Sequence, residues 1–121
     1  MMAYVQPMAP GFRYGLGTMQ GAGAPGQLVK IAGDNLFTVN DDAETRSFGI
    51  LERAVKDGEM PGIFCLGGIY ETDQFSGSPN AGDALSCDAG TGLLKTASGD
   101  ELVLAEAISL ESDVLRFKLL V

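Results

Sequence analysis

The chain has 121 residues, a formal net charge of −8, two cysteines, no histidine and no tryptophan. The missing histidine excludes Ser-His-Asp and Cys-His nucleophile systems and histidine-ligated metal sites. The acidic balance disfavours nucleic-acid phosphates and anionic lipid as partners, and no apolar run approaches the roughly 20 residues that span a bilayer. Hydrophobic residues make up 45% and charged residues 20%, the balance of a single globular domain. The 17 glycines point to many tight turns or close backbone approaches. Met1 to Pro10 has neither a basic nor an apolar signal region, so no secretion signal is expected, and Cys65 and Cys87 are expected as free, buried thiols.

Residues 1–26 stand apart. They carry six glycines, prolines at 7, 10 and 25, and a single charge, Arg13. Such a segment is not expected to form a regular element alone. Its apolar side chains make it an extended arm that lies on something else, either a partner or its own domain. Tyr4, Met8, Phe12, Tyr14, Leu16 and Met19 are therefore the candidate partner-contact residues. Ordering a free glycine-rich backbone costs roughly 1–2 kcal/mol per residue. The arm is accordingly expected to be mobile alone and ordered on a partner.

The body, residues 27–121, reads as short strands separated by turns. Gln27 to Ala32 and Leu36 to Val39 are strands around Gly33-Asp34-Asn35. Phe48 to Val55 fits either a helix or a bent strand; Gly49 and Gly58 favour the strand. Gly62 to Leu66 and Ile69 to Thr72 read as two strands split by Gly67-Gly68. Leu85 to Cys87 and Leu93 to Thr96 flank the turn Asp88 to Gly92. Leu102 to Leu110 and Val114 to Val121 close the series. Short strands at this spacing predict a mainly β, single-domain barrel or sandwich.

Other motifs carry less. Gly21 to Gly26 matches GxGxxG in letters, but no strand precedes it and a strand rather than a helix follows, so no dinucleotide is expected. Asn40-Asp41-Asp42-Ala43-Glu44 is acidic but lacks the spacing and glycine of a calcium loop. Glu52 and Glu106 invite a glycosidase reading, yet nothing in the sequence brings them together. No catalytic, cofactor or metal residue is assigned, and a non-enzymatic role is expected.

Several segments share a pattern with a known family: Phe48 to Ala54, Gly58, Gly62 to Gly68, Ala81 to Asp88 with Gly90 and Gly92, and Leu104 to Ala107 before the final strand. Over residues 27–121 the chain resembles the small capsid decoration, or cement, proteins of tailed bacteriophages. The resemblance implies a β-tulip-like domain on the capsid exterior of the virion. It would bind there as a homotrimer, clamping neighbouring major capsid proteins, with its N-terminal arm ordered on the shell. The rival expectation is a β-sandwich module that binds a ligand or carbohydrate.

Overall fold

The computed structural model describes residues 3–121, and they contain no helix. Ten strands form one sheet: β1 (Val5–Tyr14), β2 (Thr18–Met19), β3 (Leu28–Gly33), β4 (Leu36–Val39), β5 (Gly49–Leu51), β6 (Ile63–Thr72), β7 (Ala84–Cys87), β8 (Leu94–Thr96), β9 (Ala105–Glu111) and β10 (Val114–Leu119). Neighbours run β2-β4-β3-β5-β6-β10-β9-β7-β8, and β1 lies along β6 outside this path. The sheet is open, with β2 and β8 at its ends. The expectation of a mainly β single domain holds.

β6 organises the sheet. Its first residues pair with β5, its last four with β10, and β1 runs antiparallel along most of its length. The glycine pair that reads in sequence as a break is a bend within one strand. Leu66, Gly67 and Gly68 have φ of +58°, +84° and +100°. This left-handed run redirects β6 without releasing it from β1. At the opposite end, Ser112 and Asp113 both adopt positive φ, 51° and 61°. These are the angles a two-residue turn needs to match the twist of the β9–β10 hairpin.

The bend lets one sheet enclose a core. Leu28, Ile50 and Phe64 from one half meet Leu85, Leu94, Leu115 and Phe117 from the other in a single buried cluster. Cross-links hold the halves together: Leu28 N donates to Gly92 O at 2.7 Å, and the Cys87 thiol donates to Asn40 O at 3.3 Å. The next residue along each of β3 and β5, Val29 and Leu51, and the preceding one in β6, Ile63, face a second cluster with Met19, Phe37 and Val55. This half of the sheet is thus buried on both faces. That explains why Gly49-Ile50-Leu51 and Ile63-Phe64-Cys65 are unbroken apolar runs rather than alternating ones. Both cysteines are free and buried.

The N-terminal segment departs from expectation. Residues 5–14, read as an arm without regular structure, form the ten-residue strand β1. Its register slips after Pro7 and again after Pro10, which accommodates residues that break an ordinary ladder. The ladder partner is non-local, which is why no local signal in the glycine- and proline-rich sequence announces it. Tyr4 extends the anchorage: its N–H donates to Asp73 Oδ1 at 3.0 Å, and its carbonyl accepts from Thr72 Oγ1 at 2.8 Å. The accessible surface, 6180 Å², equals the roughly 6,200 Å² of a compact monomer of 12.6 kDa. A projecting arm would raise it.

Candidate functional site

The six residues singled out in the N-terminal segment are distributed unevenly. Met19 is 1% exposed and belongs to the second core cluster, so its expected role as a partner contact is corrected: its side chain fills this chain's own interior. Tyr14 packs edge-on against Phe37 and Phe48, with centroids 5.7 and 5.4 Å away, and its hydroxyl donates to Asn35 Oδ1 at 2.6 Å. Tyr4 sits at the rim of a polar hollow beside Glu71 and Arg116. Burial and the nearby carboxylates of Asp73 and Glu71 push its phenol above the usual tyrosine value. Met8 and Leu16 are exposed on separate parts of the segment. Only Phe12 and Tyr14 are brought together, and they meet at one concavity.

That concavity is an open groove of about 600 Å³. Its floor contains Cys65 and Leu104, both buried. Phe12 and Leu66 form a wall at the β1–β6 bend; Leu102 and Val103, just before β9, and Leu120, just after β10, complete it. Backbone bonds fix these segments relative to one another. Gly67 N donates to Val121 O at 3.1 Å, Leu120 N to Leu104 O at 2.8 Å, and Leu102 N to Ala43 O at 3.0 Å. Arg46, Ser47 and Phe48 also line the groove. The lining is mostly apolar, with its wall residues 39–74% exposed.

Leu66 carries the groove's most unusual feature. A leucine at φ +58° is strained, because its Cβ crowds the backbone there. It is also 74% exposed, so burial returns almost nothing for that strain. Strained positions of this kind cluster at binding sites.

Sequence reasoning missed Leu66, Leu102, Val103, Leu120 and Arg46. A signal for two of them, Val103 and Leu120, exists. Leu102-Val103-Leu104 and Leu119-Leu120-Val121 are apolar at successive positions, and in an extended segment with one buried face every second such residue must point outward.

No protein-family model matches the chain, and no curated protein matches it in sequence.

The remaining sequence candidates resolve into structural roles. In the acidic segment, Asp42 caps its own turn, accepting from Glu44 N at 2.9 Å and Thr45 Oγ1 at 2.8 Å, while Asp41 takes Lys30 Nζ at 2.7 Å. The Glu44 N–H holds Asp42 below the ordinary carboxylate range, and Lys30 does the same for Asp41. Glu52 pairs with Arg13, tying the loop after β5 to β1. Among the described residues, no three His, Cys, Asp or Glu side chains gather as a metal site. In the GxGxxG-like stretch, Gly23 exchanges backbone bonds with Val55, at 2.9 and 3.0 Å, and a Cβ on Gly26 would collide with Gln74. Those glycines serve close packing.

Proposed function

We propose that this chain is a structural capsid decoration protein of a tailed bacteriophage. In this reading it binds the outer face of the head, as a homotrimer, and stabilises contacts between major capsid proteins through the groove between β1, β6 and the segments flanking β9 and β10. The observation that carries the proposal is the exposed, strained Leu66 set in an apolar wall. Apolar surface concentrated in one concavity marks an interaction site rather than scattered exposure. A shell-binding protein needs such a face and no reacting group. Many copies on one particle also tolerate modest affinity at each. Of the segments that carry the family resemblance, Gly62 to Gly68 supplies the bend of β6 with Cys65 and Leu66, and Phe48 and Leu104 also line this face. The rival reading, a carbohydrate-binding module, draws less support, since a sugar site wants several polar side chains converging beside its aromatics, and the polar side chains lining the groove are Tyr14, Arg46 and Ser47 alone.

The test is co-sedimentation with expanded heads of the phage whose genome encodes this chain. Saturable binding of the wild-type chain is expected, with occupancy lost in Leu102→Asp and retained in Ile108→Asp, which changes an exposed residue of β9 outside the groove. Failure of the wild-type chain to bind, or equal binding by both variants, refutes the proposal.

A further inference from the structure

The groove holds one cation and no acid. Four of the eight basic side chains, Arg13, Lys30, Lys95 and Arg116, are paired with carboxylates. Arg46 pairs with none among the described residues, although the chain carries sixteen acidic side chains. Glu101, the acidic neighbour of Leu102 in sequence, is already held by Lys95 at 2.6 Å. An exposed guanidinium beside an apolar wall thus keeps its planar fork of donors available, next to surface that lowers the local dielectric when covered.

We infer that the groove takes an extended segment of the shell protein in which apolar side chains flank a carboxylate. The carboxylate seats on Arg46, and the apolar side chains lie against Leu66, Leu102 and Val103. The inference rests on the proposed capsid role and names the chemistry of its contact. Arginine suits it better than lysine because its fork meets both carboxylate oxygens at once. The net charge of −8 does not oppose it: charges more than about 8–10 Å away are screened at physiological salt, so the local cation decides. A polypeptide fits better than a small amphiphile because the walls are open, whereas a pocket for a small ligand encloses roughly 70–90% of it. A passing segment closes the open side with its own backbone and covers the wall residues that one short chain would leave wet.

The experiment uses two blocked heptapeptides of alternating valine and threonine, one with a central glutamate and one with a central lysine, titrated into isotopically labelled protein and followed by amide chemical shifts. The glutamate peptide is expected to shift Leu66, Leu102, Val103 and Leu120 and to bind about fivefold more tightly than its lysine twin. Arg46→Met removes that preference while leaving the apolar contact, and Arg46→Lys restores part of it. Equal binding of the two peptides, shifts confined to other surfaces, or no binding of either at millimolar concentration overturns the inference. Decanoate binding in the groove where neither peptide binds also overturns it, in favour of a small amphiphile. If the peptides discriminate through Arg46 but the protein fails to decorate heads, the groove chemistry stands and the capsid role falls. If heads are decorated but Arg46→Glu binds them as well as wild type, the capsid role stands and the inference falls.

Discussion

The buried hydroxyl of Tyr70 on β6 accepts a hydrogen bond from Gly11 N of β1 at 3.0 Å and donates one to Gly67 O at 3.0 Å. A single side chain thus satisfies the two backbone groups where the ladder is interrupted by the bend. The approach is close: a Cβ on Gly68 would lie 2.7 Å from that hydroxyl and 2.5 Å from Gly11 N. The ring below packs at a tilt against Phe64 and stacks on Phe117, with centroids 4.7 and 5.8 Å away. The bend that shapes the groove is therefore anchored in the main core.

Tyr70→Phe keeps the ring and removes the anchor. It leaves a donor and an acceptor unpaired in a partly buried site, which costs about 1–3 kcal/mol. Denaturant unfolding measures the loss. Amide exchange gives its location, with faster exchange expected at Gly11 and its neighbours in β1 than in β9. Unchanged protection of β1 would show that Tyr70 does not hold the strand.

Met19 and Leu16 lie three residues apart in the same glycine-rich stretch and have opposite fates. Met19 is 1% exposed among Val29, Phe37 and Leu51, whereas Leu16 is 75% exposed. Met19→Ala is expected to cost about 2–5 kcal/mol, and Leu16→Ala to stay within about 0.5 kcal/mol of wild type. Thermal melting of the two variants checks the contrast, and similar losses for both would contradict the placement of Met19.

How far the sequence discloses this structure follows from where its constraints are local. Leu36 to Val39, the turn at Asp34-Asn35 and the acidic turn before β10 are legible because alternation and turn residues act within a few positions. β1 is hidden because its partner lies some sixty residues away, and because Pro7, Pro10 and Gly11 argue against a strand everywhere except along a bulged, non-local ladder. The bend in β6 is half legible: Gly67-Gly68 signals a change of direction, but only the pairing with β1 shows that the strand continues through it. The groove is the least legible feature. Phe12 is its only exposed contributor among the candidates chosen from sequence, since Leu66 and Leu102 read as interior residues until the sheet is folded.

Leu66→Gly separates folding from binding. Glycine relieves the left-handed strain, worth roughly 1–2 kcal/mol, and gives part of that back through the greater freedom of the unfolded chain. Stability is expected to be unchanged or raised by up to about 1 kcal/mol, while binding to heads weakens because the wall loses its side chain. Melting and co-sedimentation on the same preparation check both halves. A destabilised variant would show that Leu66 serves the fold.

Stability is expected to fall at both ends of the pH range, for opposite reasons. Asp88 accepts from Ser76 Oγ at 2.7 Å and Gly90 N at 3.0 Å, which holds its carboxyl below the ordinary range; the Ser76 bond contributes most. Lys95 does the same for Glu101. A group whose folded pKa is depressed stabilises the fold above its unfolded value, near 4, and loses that contribution as pH drops through the folded one. Melting temperature should therefore decline below about pH 4. Asp88→Asn is expected to flatten part of that decline, because asparagine keeps an acceptor and has no proton to gain. At the alkaline end Cys87 contributes, as do Cys65 and Tyr70, whose pKa values burial also raises. Burial, aided by the neighbouring charge of Asp88, pushes the Cys87 thiol from 9.0 up to about 11. A raised thiol pKa favours the folded state below pH 9, where both forms are protonated. That advantage is lost between pH 9 and about 11, as the unfolded chain releases its proton first. Cys87→Ala should lower stability at neutral pH by opening a small void, and should make the decline above pH 9 shallower than in wild type. Parallel alkaline limbs for the two proteins, or rapid labelling of native Cys87 at pH 8, would show that the thiol ionises freely in the fold.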